Sequence, residues 1–230
     1  MMREDYTLHR IFLINVSAFL LYRPGEALLI DCGNQGSELK IIEEMSRLGL
    51  QPTDLKLLIL THAHYDHAGA AGRLKDLCAC RIMIHKSEAS RLEAGYTPIP
   101  SGTRWKAKAL VSIGRIFAKR LMKYPAAIPD IFVDESLSLL DYGFPGTVIH
   151  TPGHTFGSLV VLLDKGEMLA GDTLFGIPGK RIFPPFAEDP AGLLNSWKMI
   201  SEMKVKTFYP AHGRSISFSK FMEEYTVLRK

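Results

Sequence analysis

Three imidazoles and a carboxylate, His62, His64, Asp66 and His67, fall within six consecutive positions of the run THAHYDH, directly after an apolar stretch. A neutral imidazole is the usual nitrogen ligand for Zn²⁺ and similar ions, and a neighbouring carboxylate can ligate a second ion or orient a water. One histidine in such a turn reads as a surface residue; four ligand-type residues at this spacing read as a metal site. Three more follow apolar runs further on: His154 in TPGHT, Asp172 in AGDT and His212 in PAHG. A glycine beside each lets the backbone turn sharply enough to point the side chain inward. Together these loops carry enough ligands for two metals sharing the Asp172 carboxylate. His9, His85 and His150 lie outside the motifs and receive no role, and Cys32 reads as a small buried residue rather than a nucleophile.

Rigid strand ends must hold those loops. The run at 55–60 is nearly all apolar, as expected of a strand buried on both faces, and it leads straight into the histidine cluster. An amphipathic helix is predicted over 36–48, with Leu39, Ile41, Ile42, Met45 and Leu48 apolar and Gly49 as its stop. A loop at 61–69, an Ala-rich helix to about 77 and a strand at 81–85 complete a β-α-β-α-β opening, which argues for a layered α/β fold. The apolar run at 11–22 reads as a buried strand and turn. Later strands are expected at 131–133, 147–150, 158–163, 168–170 and 207–209, with a hairpin turn at 164–167. Asp189-Pro190 marks the start of a helix through about 203 that packs Leu193, Leu194, Trp197 and Ile200. Residues 86–128 break this rhythm and read as a helical insert, with Trp105, Leu110, Ile113, Phe117 and Leu121 as its apolar face.

HxHxDH followed by TPGHT, GDT and AHG resembles the metallo-β-lactamase superfamily, and GDTLF at 171–175 is similar to glyoxalase II and related lactonases. The similarity runs from Ile30 to Gly213, the insert excepted. It implies an αββα sandwich with the site at one edge between two sheets. It also implies a first site of His62, His64 and His154, a second of Asp66, His67 and His212, and Asp172 bridging them. Asp31, in the Asp-x-Gly position, is implied to support the ligand loop. The expected cofactors are two divalent ions, zinc first, with iron or manganese as other options. Such a pair supplies a hydroxide at neutral pH, which Asp66 can orient while passing a proton to the leaving group. Lys180 and Arg181 lie where a glyoxalase II-like enzyme contacts its substrate and can pair with a carboxylate.

A thioester, lactone or ester carbonyl is the expected target. The insert and the 18 residues that follow His212 depart from glyoxalase II and turn the expectation away from glutathione itself. Two other activities use the same ligand types: a metal-dependent phosphodiesterase or nuclease, and a mononuclear iron enzyme like the persulfide dioxygenases. No strong interleaving of aromatic and basic residues favours nucleic acid as a partner. A non-enzymatic binding protein would be betrayed by a missing ligand, and none is missing.

Composition sets the frame. With 230 residues, 47% of them hydrophobic, the chain can bury a sizeable core, and a single domain is expected. Three cysteines, Cys32, Cys78 and Cys80, are too few for a disulfide framework and fit a reducing cytoplasm. No stretch approaches the ~20 apolar residues of a membrane span. The net charge of +4 is local: residues 97–128 hold seven basic residues and no acidic one, leaving 21 basic against 24 acidic elsewhere. That patch can draw in an anionic or acyl substrate, touch a membrane surface, or remain a solvated helix face.

Overall fold

The structure, a computed structural model, describes residues 6–98, 102–103 and 122–229. Its strands form two six-stranded sheets, ordered β1-β2-β3-β4-β5-β6 and β12-β11-β10-β9-β8-β7. The first contains β1 (Thr7–Phe12), β2 (Ser17–Arg23), β3 (Glu26–Ile30), β4 (Leu55–Ile59), β5 (Arg81–His85) and β6 (Ile131–Val133). From β3 to β6 the pairing is parallel. The second contains β7 (Ser136–Ser138), β8 (Gly146–His150), β9 (Leu159–Leu163), β10 (Glu167–Gly171), β11 (Thr207–Pro210) and β12 (Ile216–Ser217). Here β10 and β11 run parallel, while the other neighbours are antiparallel.

Side chains alternate across a strand, so a strand covered on both sides is apolar at every position. Leu28, Ile30, Leu57 and Ile59 face the second sheet, where Phe144, Val148, Val161 and Leu169 meet them. Leu29 and Leu58 face outward onto Ile41 and Met45 of α1 (Ser37–Arg47) and Leu74 of α3 (Ala71–Cys78). Beyond the second sheet, Val160, Met168 and Phe208 pack against Leu193, Trp197 and Ile200 of α5 (Pro190–Ser201) and Phe221 of α6 (Phe218–Leu228). The result is helix, sheet, sheet, helix, the expected αββα sandwich. Asp189 accepts the Ala191 N–H at 3.0 Å and so caps α5 as its sequence position suggests.

Several expectations need correction. The apolar run at 11–22 is a hairpin: β1 and β2 pair antiparallel, and Asn15 sits in the turn between them. The loop at 61–69 contains a helical turn, α2 (Tyr65–Ala68), which carries Asp66 and His67. Leu39 lies on the solvent face of α1. Of the insert, a 3₁₀ turn (Lys86–Glu88) and α4 (Ala89–Ala94) are helical, and Tyr96 and Lys123 form an isolated antiparallel bridge. The predicted apolar residues Trp105, Leu110, Ile113, Phe117 and Leu121 and the basic residues Arg104, Lys106, Lys108, Arg115, Lys119 and Arg120 lie outside the described residues. Among the described residues no helix is long and apolar enough to cross a membrane.

The carboxyl ends of β3, β4, β8, β10 and β11 lead into the segments that carry Asp31, His62, His154, Asp172 and His212. Two backbone bonds tie the sheets together there: the Leu159 N–H donates to Thr61 O at 2.8 Å, and the Ser17 N–H to Ala211 O at 2.9 Å.

Candidate metal centre

All seven predicted ligands converge, in two groups. His62, His64, His154 and Asp172 offer ligand atoms within 4.8 Å of one another, and Asp66, His67 and His212 do the same. In the first group His64 Nδ1 lies 2.8 Å from His62 Nε2 and 3.2 Å from His154 Nε2, and Asp172 Oδ2 is 3.4 Å from the latter. Donors about 2.0–2.1 Å from a tetrahedral metal stand ~3.3 Å apart, so these separations suit one ion. Asp172 Oδ1 turns to the second group, 3.3 Å from His67 Nε2 and 3.4 Å from His212 Nε2, and the latter is 3.5 Å from Asp66 Oδ2.

The outward nitrogens fix the rings. His67 Nδ1 donates to Asp31 Oδ2 at 2.8 Å, His154 Nδ1 to Phe186 O at 2.9 Å and His212 Nδ1 to Asn15 O at 2.8 Å. His62 Nδ1 lies 3.1 Å from Thr61 Oγ1. A proton held outward leaves the inward Nε2 as a lone pair, the arrangement in which histidine ligates a metal. His67 Nε2 and Asp172 Oδ1 are buried and face the cluster, and neither makes an aligned hydrogen bond among the described residues, although the two lie close together. Orphaned atoms of this kind call for a partner, and a cation supplies one.

Electrostatics agree. Burial, reinforced by His67 and His64, holds His62 well below the usual imidazole range, and burial with His154 brings His64 down to about 3. At Asp172 burial pushes up, but His212, His67 and His154 together outweigh it and keep the carboxylate ionised. Burial opposes protonation of His67 and His212 too, yet Asp172 prevails at both, aided by Asp31 at His67 and by Asp66 at His212. Neutral imidazoles and ionised carboxylates are the forms that bind metal, and His62, His64 and Asp172 hold those forms. At His67 and His212 the carboxylate charge that favours a proton would equally favour a divalent ion in its place, so the residues present fit divalent ions.

Asp31 lies against this loop. It accepts the Thr61 N–H at 2.8 Å as well as the His67 ring, and it does so from a left-handed backbone, φ 58°. Gly171 meets the same threonine: at φ 49°, a Cβ there would stand 2.6 Å from Thr61 Oγ1. Gly171→Ala is therefore expected to push Thr61 off Asp31 and displace Asp172, weakening metal binding about ten- to a hundredfold in a chelator competition. Cys32 donates its thiol to His67 O at 3.0 Å and is pushed far up by burial, so it is no nucleophile at neutral pH. His85 and His150 stack on each other with centroids 3.9 Å apart, outside both groups. Lys180 and Arg181 stand exposed on the segment after β10, and among the described residues no ion pair or side-chain hydrogen bond joins them to the cluster.

The sequence model of the metallo-beta-lactamase superfamily matches residues 12–212, a span that includes every ligand above. The chain belongs to the metallo-beta-lactamase superfamily. As a member of it the chain is a metal-dependent hydrolase. A probable metallo-hydrolase of Methanocaldococcus jannaschii is 29% identical over 190 residues, 81% of this chain and 82% of the relative. A hydroxyacylglutathione hydrolase of Methylobacillus flagellatus is 26% identical over 211 residues, 90% of this chain and 67% of the relative. The fold is shared with a metallo-beta-lactamase family protein of Thermus thermophilus, at TM-score 0.70 and 22% identity over 97% of this chain and 78% of that one. Unforeseen in the sequence were the supporting atoms, Asn15 O, Phe186 O and the Thr61 hydroxyl, and Phe175, whose ring stacks on His212 at 4.9 Å.

Proposed function

We propose that this metal-dependent hydrolase uses two divalent ions, zinc first among them, to cleave a thioester, lactone or ester carbonyl. The observation that carries the reading is the division of Asp172: Oδ2 faces the group of His62, His64 and His154, and Oδ1 faces that of His67 and His212. One carboxylate common to two donor sets is what a pair of neighbouring ions requires. Bound there, the ions supply a water of lowered pKa and polarise the carbonyl oxygen.

The protein's own groups do the rest. Asp66 is ionised: burial opposes this, but the His212 hydrogen bond and His67 prevail. With Oδ2 turned to His212, its other oxygen is available to take the proton of the attacking water. As the C–S or C–O bond breaks, that proton passes to the departing atom. Phe12, Ile14 and Phe156 are exposed despite their size, and they flank residues that hold or supply ligands, Asn15 beside His212 and His154 itself. Exposed apolar side chains at these neighbouring positions suit an acyl chain, and the hydroxyacylglutathione hydrolase relative is named for an acyl substrate. Lys180 and Arg181 are candidates for an anionic end of that substrate.

The test is metal content of protein purified without added metal, by elemental mass spectrometry, with hydrolysis of a thioester, lactone and phosphodiester panel. About two zinc or manganese ions per chain with carbonyl turnover are expected. Turnover of the phosphodiester alone, or one iron with oxygen uptake and no hydrolysis, would replace this reading.

A further inference from the structure

Between two of the donor histidines lies Ala63, whose peptide is held at both ends. Its N–H donates to Glu88 Oε2 at 3.1 Å, and its carbonyl accepts the hydroxyls of Thr97 and Tyr124. Glu88 is completely buried. Its Oε1 accepts the Gly157 N–H at 3.3 Å and pairs with Arg91 Nη1 at 3.1 Å. Arg91 Nη2 continues to Glu188 Oε1 at 2.7 Å, and Glu188 Oε2 accepts the Phe156 N–H at 2.9 Å. The Glu188 backbone N–H then donates to His154 O at 3.0 Å.

These three side chains make one continuous charged link. One end grips the peptide between His62 and His64; the other grips the backbone at His154 and the residues just after it. Burying a carboxylate is costly unless it is paired and hydrogen-bonded, and an apolar side chain can often fill such a place without loss of stability. Stability alone is thus a poor account of the arrangement, whereas holding histidines from opposite sheets at a fixed spacing is a good one. We propose that Glu88 is a positioning residue which, through Arg91 and Glu188, sets His62 and His64 against His154. The proposal rests on the reading that these three histidines share a metal.

Glutamine is nearly isosteric with glutamate but accepts on one oxygen only, and its NH₂ then faces either the Ala63 N–H or Gly157 and Arg91. In full-length Glu88→Gln, Zn²⁺ affinity measured against a chromophoric chelator should fall about ten- to a hundredfold, at a temperature where circular dichroism shows the chain folded. The Co²⁺-loaded visible spectrum should change as well, which a merely stabilising residue would not cause in folded protein. Unchanged Zn²⁺ affinity and Co²⁺ spectrum beside normal wild-type binding would overturn the proposal alone. If Glu88→Gln fails to fold, Arg91→Met, partly exposed at the middle of the link, decides the question by the same two readouts. A wild-type chain that takes up no Zn²⁺ would overturn the metal reading and this proposal together.

Discussion

Asp172→Ala is expected to lower carbonyl hydrolysis by about a thousandfold or more and to strip metal from both donor groups. Polarisation by a metal stabilises a transition state by several kcal/mol, and each ~1.4 kcal/mol is a factor of ten in rate. Asp172 is the residue whose two oxygens address both groups, and in its absence three imidazoles face one another without their shared anion. Removing Asp66 or His212 alone would leave the first group whole. Metal saturation should also stop protecting the variant from heat, because stabilisation by mass action, ~2.7 kcal/mol at a hundred times Kd, requires a ligand that still binds. Turnover within tenfold of wild type, at undiminished metal content, would exclude the bridging role.

Asp31→Asn should weaken metal binding about ten- to a hundredfold while leaving the chain folded, as expected for a residue that orients a ligand. The left-handed conformation at Asp31 is one that asparagine also tolerates, so the change tests charge and hydrogen bonding with the backbone unaltered. The amide can still accept from Thr61, but it cannot also accept from the His67 ring without setting a donor against another donor. Asp31→Ala goes further: it leaves the buried Thr61 N–H and His67 Nδ1 unpaired, at roughly 1–3 kcal/mol each. Denaturant unfolding of the metal-free protein should show that loss for alanine and less of it for asparagine. Equal chelator competition by asparagine and wild type would mean that the aspartate merely completes the loop.

The ligands were legible because they are distinctive side chains after apolar strands, four of them within six positions and the other three each beside a glycine. Their supports were not, for a physical reason. Asn15 and Phe186 act through backbone carbonyls, which every residue possesses, and Glu88 acts on backbone N–H groups brought near only by the tertiary fold. Of the fold, strands buried on both faces stood out as continuous apolar runs, but such a run does not reveal that it bends. The hairpin at 11–22 was hidden for that reason, since β2 is buried along most of its length. α6 is a different case: Phe218, Phe221, Met222 and Tyr225 repeat at the helical period and could have been read as a helix. β12, only two residues long, leaves no periodic trace.

The strand orders of the two sheets mean that the chain passes from one to the other once, between Val133 and Ser136. His62, His64, Asp66 and His67 precede that crossing, and His154, Asp172 and His212 follow it. Neither donor group can be completed by one half of the polypeptide. An ion bound there would act as a clasp on a closed book, adding its full free energy when the halves dock in register. Loss of the metal is thus expected to loosen the seam between the halves before it melts either one.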